Sequence, residues 1–265
     1  MGRKSNTARA SVVRPTHRSR GNPQLTLVET PTQLRETQKR KTWSQRDCKD
    51  VVPLTDRQQE AFECWLQSTD SSLALVGSPG TGKTYMACYL GINEVLNSAT
   101  EQQQLIVIRS AVETRSQGFL PGTLDEKEAV YRAPYVDIFQ DLFRRASTFG
   151  DMCDAGVVRF MTTSHVRGLT FDNAIIIVDE FQNLNAHELS SVVTRVGQNS
   201  RLILCGDGYQ NDLHSKRGTE VSGFQMGLRI MQDMEEFDVV QFTHDDIVRS
   251  GFVKSWIIHS ERYAE

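Results

Sequence analysis

The run Gly77-Ser78-Pro79-Gly80-Thr81-Gly82-Lys83-Thr84 places three glycines, a lysine and three hydroxyls within eight residues. Each type has a chemical use. Glycines let backbone N–H groups approach an anion with no Cβ in the way. Lys83 is a flexible cation able to reach the outer phosphates of a nucleotide, and the Thr84 hydroxyl is a magnesium ligand. The spacing Gly-x4-Gly-Lys-Thr matches the phosphate-cradling P-loop in full. The run also opens a predicted helix, whose positive end faces the same anion. The expected ligand is ATP with Mg2+.

A second constellation lies about a hundred residues on. The apolar run 174–178 ends in Asp179-Glu180. A buried strand ending in an acid puts that carboxylate at the carboxyl edge of a sheet, where the glycine loop also lies. Asp179 is expected to hold Mg2+ through its water shell. Glu180 is the candidate general base for an attacking water. A third strand, 201–205, runs into Gly206-Asp207-x-x-Gln210. Gln210 is the candidate for orienting that water or the γ-phosphate; the plainer reading is that Gly206-Asp207 only makes a tight turn.

These residues need a scaffold, and the pattern from residue 54 onward alternates strand and helix. Thr55-Asp56 predicts a capped helix through Ala61, Phe62, Trp65 and Leu66. Short apolar runs at 73–76, 105–108, 157–161, 174–178, 201–205 and 238–242 read as strands. Helices are predicted over 83–96, 135–146, 186–196, 222–234 and 245–262. Residues 114–135, with Gly118, Pro121, Gly122 and Pro134, read as an excursion from this pattern. The predicted fold is a three-layer α/β P-loop domain of RecA-like type with a mostly parallel central sheet.

The 265 residues suit one such domain, placed at 51–265, behind a basic and largely disordered arm at 1–50. Leu25, Leu27 and Val28 would suit one short docked strand in that arm. The arm carries 12 Lys and Arg against 4 Asp and Glu, while the remainder carries 18 against 29. A basic arm on an acidic body suits an anionic partner such as nucleic acid, or is simply a solvated tail. No apolar run reaches a membrane-spanning length. No secretory signal or myristoylation site is expected, since position 6 is Asn6. Five cysteines without a C-x-x-C pair argue against a disulfide framework or zinc site and for a reducing, cytoplasmic setting. Cys88 and Cys205 are expected in the core. The six histidines show no metal-ligand spacing.

The motifs together resemble the PhoH-like proteins, ATPases related to the superfamily 1 helicase core. The resemblance runs from about 55 to 249. Thr55-Asp-Arg-Gln58 is similar to the family's T-x-N-Q, whose glutamine reads adenine. The P-loop followed by Tyr85, the segments Gly118-Phe-Leu-Pro-Gly122, Lys127, Pro134-Tyr135 and Asp137, and Arg167-Gly-Leu-Thr170 continue it. Asp179-Glu180-x-Gln182-Asn183, Thr194-Arg195-x-Gly197, Gly206-Asp207-x-x-Gln210-x-Asp212-Leu213 and Asp246-Ile-Val-Arg249 complete it. Leu169 replaces the family's second arginine in R-G-R-T, and Arg57 replaces an asparagine. No PIN nuclease domain is expected from these residues, so the RNase activity of fused relatives is not implied. Similar short proteins are frequent in bacteriophages, which would make the setting a host cytoplasm. The resemblance implies an ATPase acting on RNA or single-stranded DNA. One domain of this kind would need an arginine finger from a neighbouring subunit, which predicts a homo-oligomeric ring, a hexamer. Arg249 and Arg195 are the candidates, with Arg167 behind them. Trp43, Phe119 and Phe181 are candidates for base stacking, or else packing aromatics. Two other classes compete: a nucleotide-switched binding protein with slow turnover, which would not need Glu180, and a small-molecule kinase, which the acidic pair and the Gly206–Gln210 motif disfavour.

Overall fold

The computed structural model describes residues 43–110, 124–208 and 223–263. Six aliphatic runs form strands: β1 (Ser72–Gly77), β2 (Gln104–Arg109), β3 (Val158–Thr162), β4 (Ala174–Asp179), β5 (Arg201–Gly206) and β6 (Phe237–Phe242). All pair in parallel, in the order β3-β2-β4-β5-β1-β6. Alternate side chains of a strand point to opposite faces. β4 therefore sends Ile175 and Ile177 into one core and Ile176 and Val178 into another, and all four are fully buried. That double burial explains why the strands read as unbroken apolar runs rather than alternating ones.

The helices follow from the strand order. From β1 the chain moves to β2 and β3 at one edge; from β4 it moves to β5 and β6 at the other. Right-handed crossovers then put the two sets of helices on opposite faces. α1 (Asp56–Gln67), α2 (Lys83–Val95), α3 (Leu124–Phe143) and α4 (Thr148–Asp154) cover the first face. α5 (Ala186–Val193) and α6 (Gly223–Asp233) cover the second, and α7 (Gly251–Arg262) follows β6. β2 and β4 are neighbours whose chains leave in opposite directions, so their carboxyl ends open into a crevice of the kind where α/β sheets bind ligands. Among the described residues, no helix is long and apolar enough to cross a membrane.

Several predicted bounds shift. The excursion at 114–135 is helical from Leu124, so α3 runs through Pro134. Proline removes one ladder bond, but Tyr135, Phe139 and Leu142, at helical spacing, are wholly buried and hold the segment to the sheet. Residues 114–123 of that excursion, with Gly118, Phe119, Pro121 and Gly122, lie outside the described residues. The helix expected over 245–262 is broken. Thr243 and Asp246 close a short 3-10 turn at His244–Asp246, and α7 starts only at Gly251. Between them Val248 donates its N–H to Gly80 O at 3.1 Å, which ties this segment to the glycine loop. α5 ends at Val193 rather than 196, because Phe171 donates to Arg195 O and accepts from Gly197 N. Residues 43–50, assigned to the arm by composition, pack on the body. Cys48 is buried, Trp43 lies partly buried against the first core, and Lys49 N–H donates to Leu142 O at 2.8 Å. The remainder of the arm, with Leu25, Leu27 and Val28, lies outside the described residues.

Candidate nucleotide-binding site

The loop after β1 is glycine-rich for a local steric reason. Gly77 has φ +126°, and a Cβ there would fall 2.0 Å from the carbonyl oxygen of Phe242 on β6. Gly80 and Gly82 also take left-handed backbone angles, +78° and +84°. Lys83 opens α2 and donates from Nζ to Gly77 O at 2.8 Å and Ser78 O at 2.7 Å, across the mouth of the loop. Burial lowers its pKa, against the pull of Asp207, Cys205, Glu180 and Asp179. Thr81 is fully buried and its hydroxyl donates to Ser78 O. Pro79 lines the outer rim.

Gln58 takes a place the sequence did not suggest. It is buried; its Oε1 accepts the Leu54 N–H at 2.7 Å and its Nε2 donates to Thr81 O at 2.9 Å. Its amide thus braces the loop from α1. Tyr85 lines the cleft and donates its hydroxyl to Asp141 Oδ2 at 2.6 Å, joining α2 to α3. Burial and that bond push the Tyr85 phenol up to about 12.

The acidic strand end meets the loop. Thr84 Oγ1 donates to Asp179 Oδ1 at 2.8 Å, and the buried Tyr135 hydroxyl donates to Asp179 Oδ2 at 2.7 Å. Glu180 follows with a left-handed backbone, φ +55° and ψ 41°. In a non-glycine residue that conformation is uncommon and clusters at functional sites. Both carboxylates line the same cleft. Gln182 clamps the pair of strand ends. Its Nε2 donates to Glu180 Oε2 at 2.5 Å, and its Oε1 accepts the Asp207 N–H at 3.0 Å. Burial raises the Glu180 pKa, with Asp179 adding to it.

The cleft holds about 560 Å3 and is walled by Gly80, Gly82, Lys83, Thr84, Arg109, Asp179, Glu180, Asp207 and Arg249, among others. Arg249 sits in it because the 247–250 segment packs on the loop; its Cγ lies 3.0 Å from where a Gly80 Cβ would be. Arg195 does not line it. Its carbonyl pairs with Phe171 ahead of β4, at the amino edge of the sheet. Arg167 is also outside, with Nη2 3.4 Å from His187 Nε2. Gln210 lies outside the described residues. Phe181 is wholly buried and stacked on Phe224, ring centroids 4.8 Å apart, so it is a packing aromatic and not a base-stacking one. Cys88 and Cys205 are buried, as expected.

Three residues of the site were missed. Arg109 ends the apolar run of β2, and the rule that found Asp179 applies to it equally. Tyr135 reaches Asp179 from a helix 44 positions away, which no local pattern reveals. Gln182, like Tyr135, was named only within the family motifs, with no role of its own.

The fit to a nucleotide and its metal is chemical: a glycine loop with left-handed backbone at Gly80 and Gly82 that opens a helix at Lys83, and a hydroxyl–carboxylate pair at Thr84 and Asp179. A parallel sheet bringing this loop and this acidic pair together at its carboxyl edge defines a P-loop NTPase domain. Residues 50–260 match the PhoH-like protein family, and the chain belongs to it. A PhoH-like protein of Mycobacterium tuberculosis is 32% identical over 191 residues, 72% of this chain and 53% of that one. One from Synechocystis is 34% identical over 188 residues, 71% and 56%. Protein PhoH of Escherichia coli is 32% identical over 212 residues, 78% and 58%. The chain thus spans a little over half the length of these relatives. Among solved structures, Pif1 helicase from Candida albicans aligns over 77% of this chain and 43% of its own, with 14% identity and TM-score 0.35, too distant to bear on function.

Proposed function

We propose that this protein binds ATP with Mg2+ in the cleft and hydrolyses it. The observation that supports this best is the meeting of Thr84, Asp179 and Glu180 beside the glycine loop. Backbone N–H groups of residues 78–84 cradle the phosphates, and Lys83 turns from Gly77 O and Ser78 O to the outer ones. Thr84 and Asp179 would hold Mg2+, which neutralises phosphate charge when bound. Glu180 takes a proton from water as the water oxygen bonds to the γ-phosphorus and the bond to the ADP oxygen breaks. Tyr135 and Gln182 fix the two carboxylates. Gln210 orients the water or γ-phosphate, and Gln58 sets the loop and thereby the adenine end.

The working form, in this reading, is a homo-oligomeric ring in the cytoplasm, a hexamer, acting on RNA or single-stranded DNA. In this reading Arg195, which does not line its own cleft, serves a neighbour's, whereas Arg249 already lies at its own loop. The test is ATP turnover by the purified protein with and without single-stranded RNA and DNA, beside Glu180→Gln. Polymer-stimulated turnover that vanishes in Glu180→Gln supports the reading. Tight ATP binding with no turnover under any of these conditions replaces it with a nucleotide-operated switch.

A further inference from the structure

We propose that Arg109 is a catalytic cation supplied in cis, whose guanidinium grips the terminal phosphate of ATP from the β2 side of the cleft. The inference rests on the ATP-hydrolase reading. Its first support is position. Arg109 is the last residue of β2 and is paired in register with Asp179, the last of β4. Leu105, Val107 and Arg109 alternate onto the sheet face that carries α2 and α3, the face that also receives Asp179. This is the crevice where β2 and β4 diverge, and Arg109 lines it together with Lys83, Thr84 and Glu180.

The second support is an account of donors. The Arg109 side chain is in a half-buried residue, yet makes no hydrogen bond or ion pair among the described residues. Its nearest acids are held by neutral groups: Asp179 by the Thr84 and Tyr135 hydroxyls, Glu180 by the Gln182 amide. The contrast is Arg201, whose guanidinium meets Glu94, Ser71 O and Trp65 O at 2.8, 2.9 and 3.1 Å. A guanidinium has five donors in a planar fork that matches a phosphate bidentately. A fork without a bonded partner among the described residues, on the wall of an anion cleft and beside the general base, meets the phosphate that this base's water attacks. Arg109 exchanges no proton. It stabilises charge on the phosphoryl oxygens as the bond to ADP breaks.

The experiment uses the full chain. In a Glu180→Gln background, where turnover is blocked, ATP and ADP affinities are read by displacement of a fluorescent nucleotide. Adding Arg109→Ala is expected to weaken ATP by about tenfold or more and ADP by less than about twofold, for loss of one charge-assisted contact. With Glu180 present, Arg109→Ala is expected to lower kcat by about 10²- to 10³-fold, and Arg109→Lys to restore only part of it. In the Glu180→Gln background little change in the thermal midpoint is expected, since no side-chain hydrogen bond among the described residues is lost. Equal weakening of ATP and ADP would make Arg109 a mere counter-charge to Asp179 and Glu180 and overturn the proposal, as would no change in either. If the parent binds ATP without hydrolysing it, the hydrolase reading fails, and the ATP-to-ADP ratio still decides whether Arg109 holds the terminal phosphate.

Discussion

Asp179 carries two hydroxyl partners on its two oxygens, and they come from different helices. Thr84 is the one expected to share a metal with it; Tyr135 is left to aim the carboxylate. Tyr135→Phe removes the second bond and leaves a buried charged acceptor short of a donor, at about 1.5–3 kcal/mol. The expected result is a half-saturating Mg2+ concentration raised by about tenfold, by the same estimate, with metal-free nucleotide binding unchanged. Equal Mg2+ titrations for parent and variant would refute the positioning role. Glu180 makes a second case. Burial raises its pKa, with Asp179 contributing. A base works only when ionised, so the acid limb of the turnover profile should be displaced upward in pH from that of an ordinary carboxyl. Stability runs the other way. A carboxyl whose folded pKa is raised contributes stability below its unfolded pKa and loses it as pH rises through the folded value. Glu180→Gln should therefore melt above the parent at pH 8, with the gap closing as the pH falls below the carboxylate range. A constant gap across that range would show that charge is not its cause.

At the scale of elements, the β1–loop–α2 unit depends on how closely β1 approaches β6. A Cβ at Gly77 would meet the Phe242 carbonyl at 2.0 Å with φ +126°. Gly77→Ala should cost at least about 3 kcal/mol in a denaturant titration, through overpacking and a backbone forbidden to alanine. Gly150 inside α4 has nothing within 4 Å of such a Cβ. Gly150→Ala should instead stabilise by about 0.5–1 kcal/mol, the ordinary helix gain. The pair separates steric necessity from mere composition. What was legible in the sequence follows the same division. The glycine loop and the strand ending in Asp179 are local patterns, each contiguous in the sequence, and both were readable. So were the inner strands, because covering on both faces leaves apolar residues through the middle of β1, β2, β4 and β5. Contacts made across the chain were not readable. Gln58 has the look of a base reader, and only the approach of residues 54 and 81 shows its amide spent on backbone. Pro134 marks a break until Tyr135, Phe139 and Leu142 are seen anchoring one helix to the sheet. The gap between the 3-10 turn and α7 exists because Val248 bonds to Gly80, 168 residues away.

For the whole molecule, the decisive question is whether one chain completes a working site. Arg109 and Arg249 both line their own cleft, whereas Arg195 sits at the opposite edge of the sheet. A guanidinium at that edge can act on a phosphate only if another subunit's cleft is brought to it, as in a head-to-tail ring. Two variants, each expected to be inactive alone, test this. Lys83→Ala loses its own phosphate site but keeps Arg195; Arg195→Ala keeps the phosphate site and loses the remote arginine. In a ring, mixing them joins an intact cleft to an intact Arg195 at a fraction of the interfaces. The expected outcome is turnover in the mixture well above that of either variant alone, greatest near equal proportions and absent below the concentration at which sedimentation shows monomer. Recovery identifies the trans arginine and the ring together. If Arg195→Ala alone turns over like the parent, the remote arginine has no part in the chemistry, and the two cis arginines supply the positive charge that the phosphate requires.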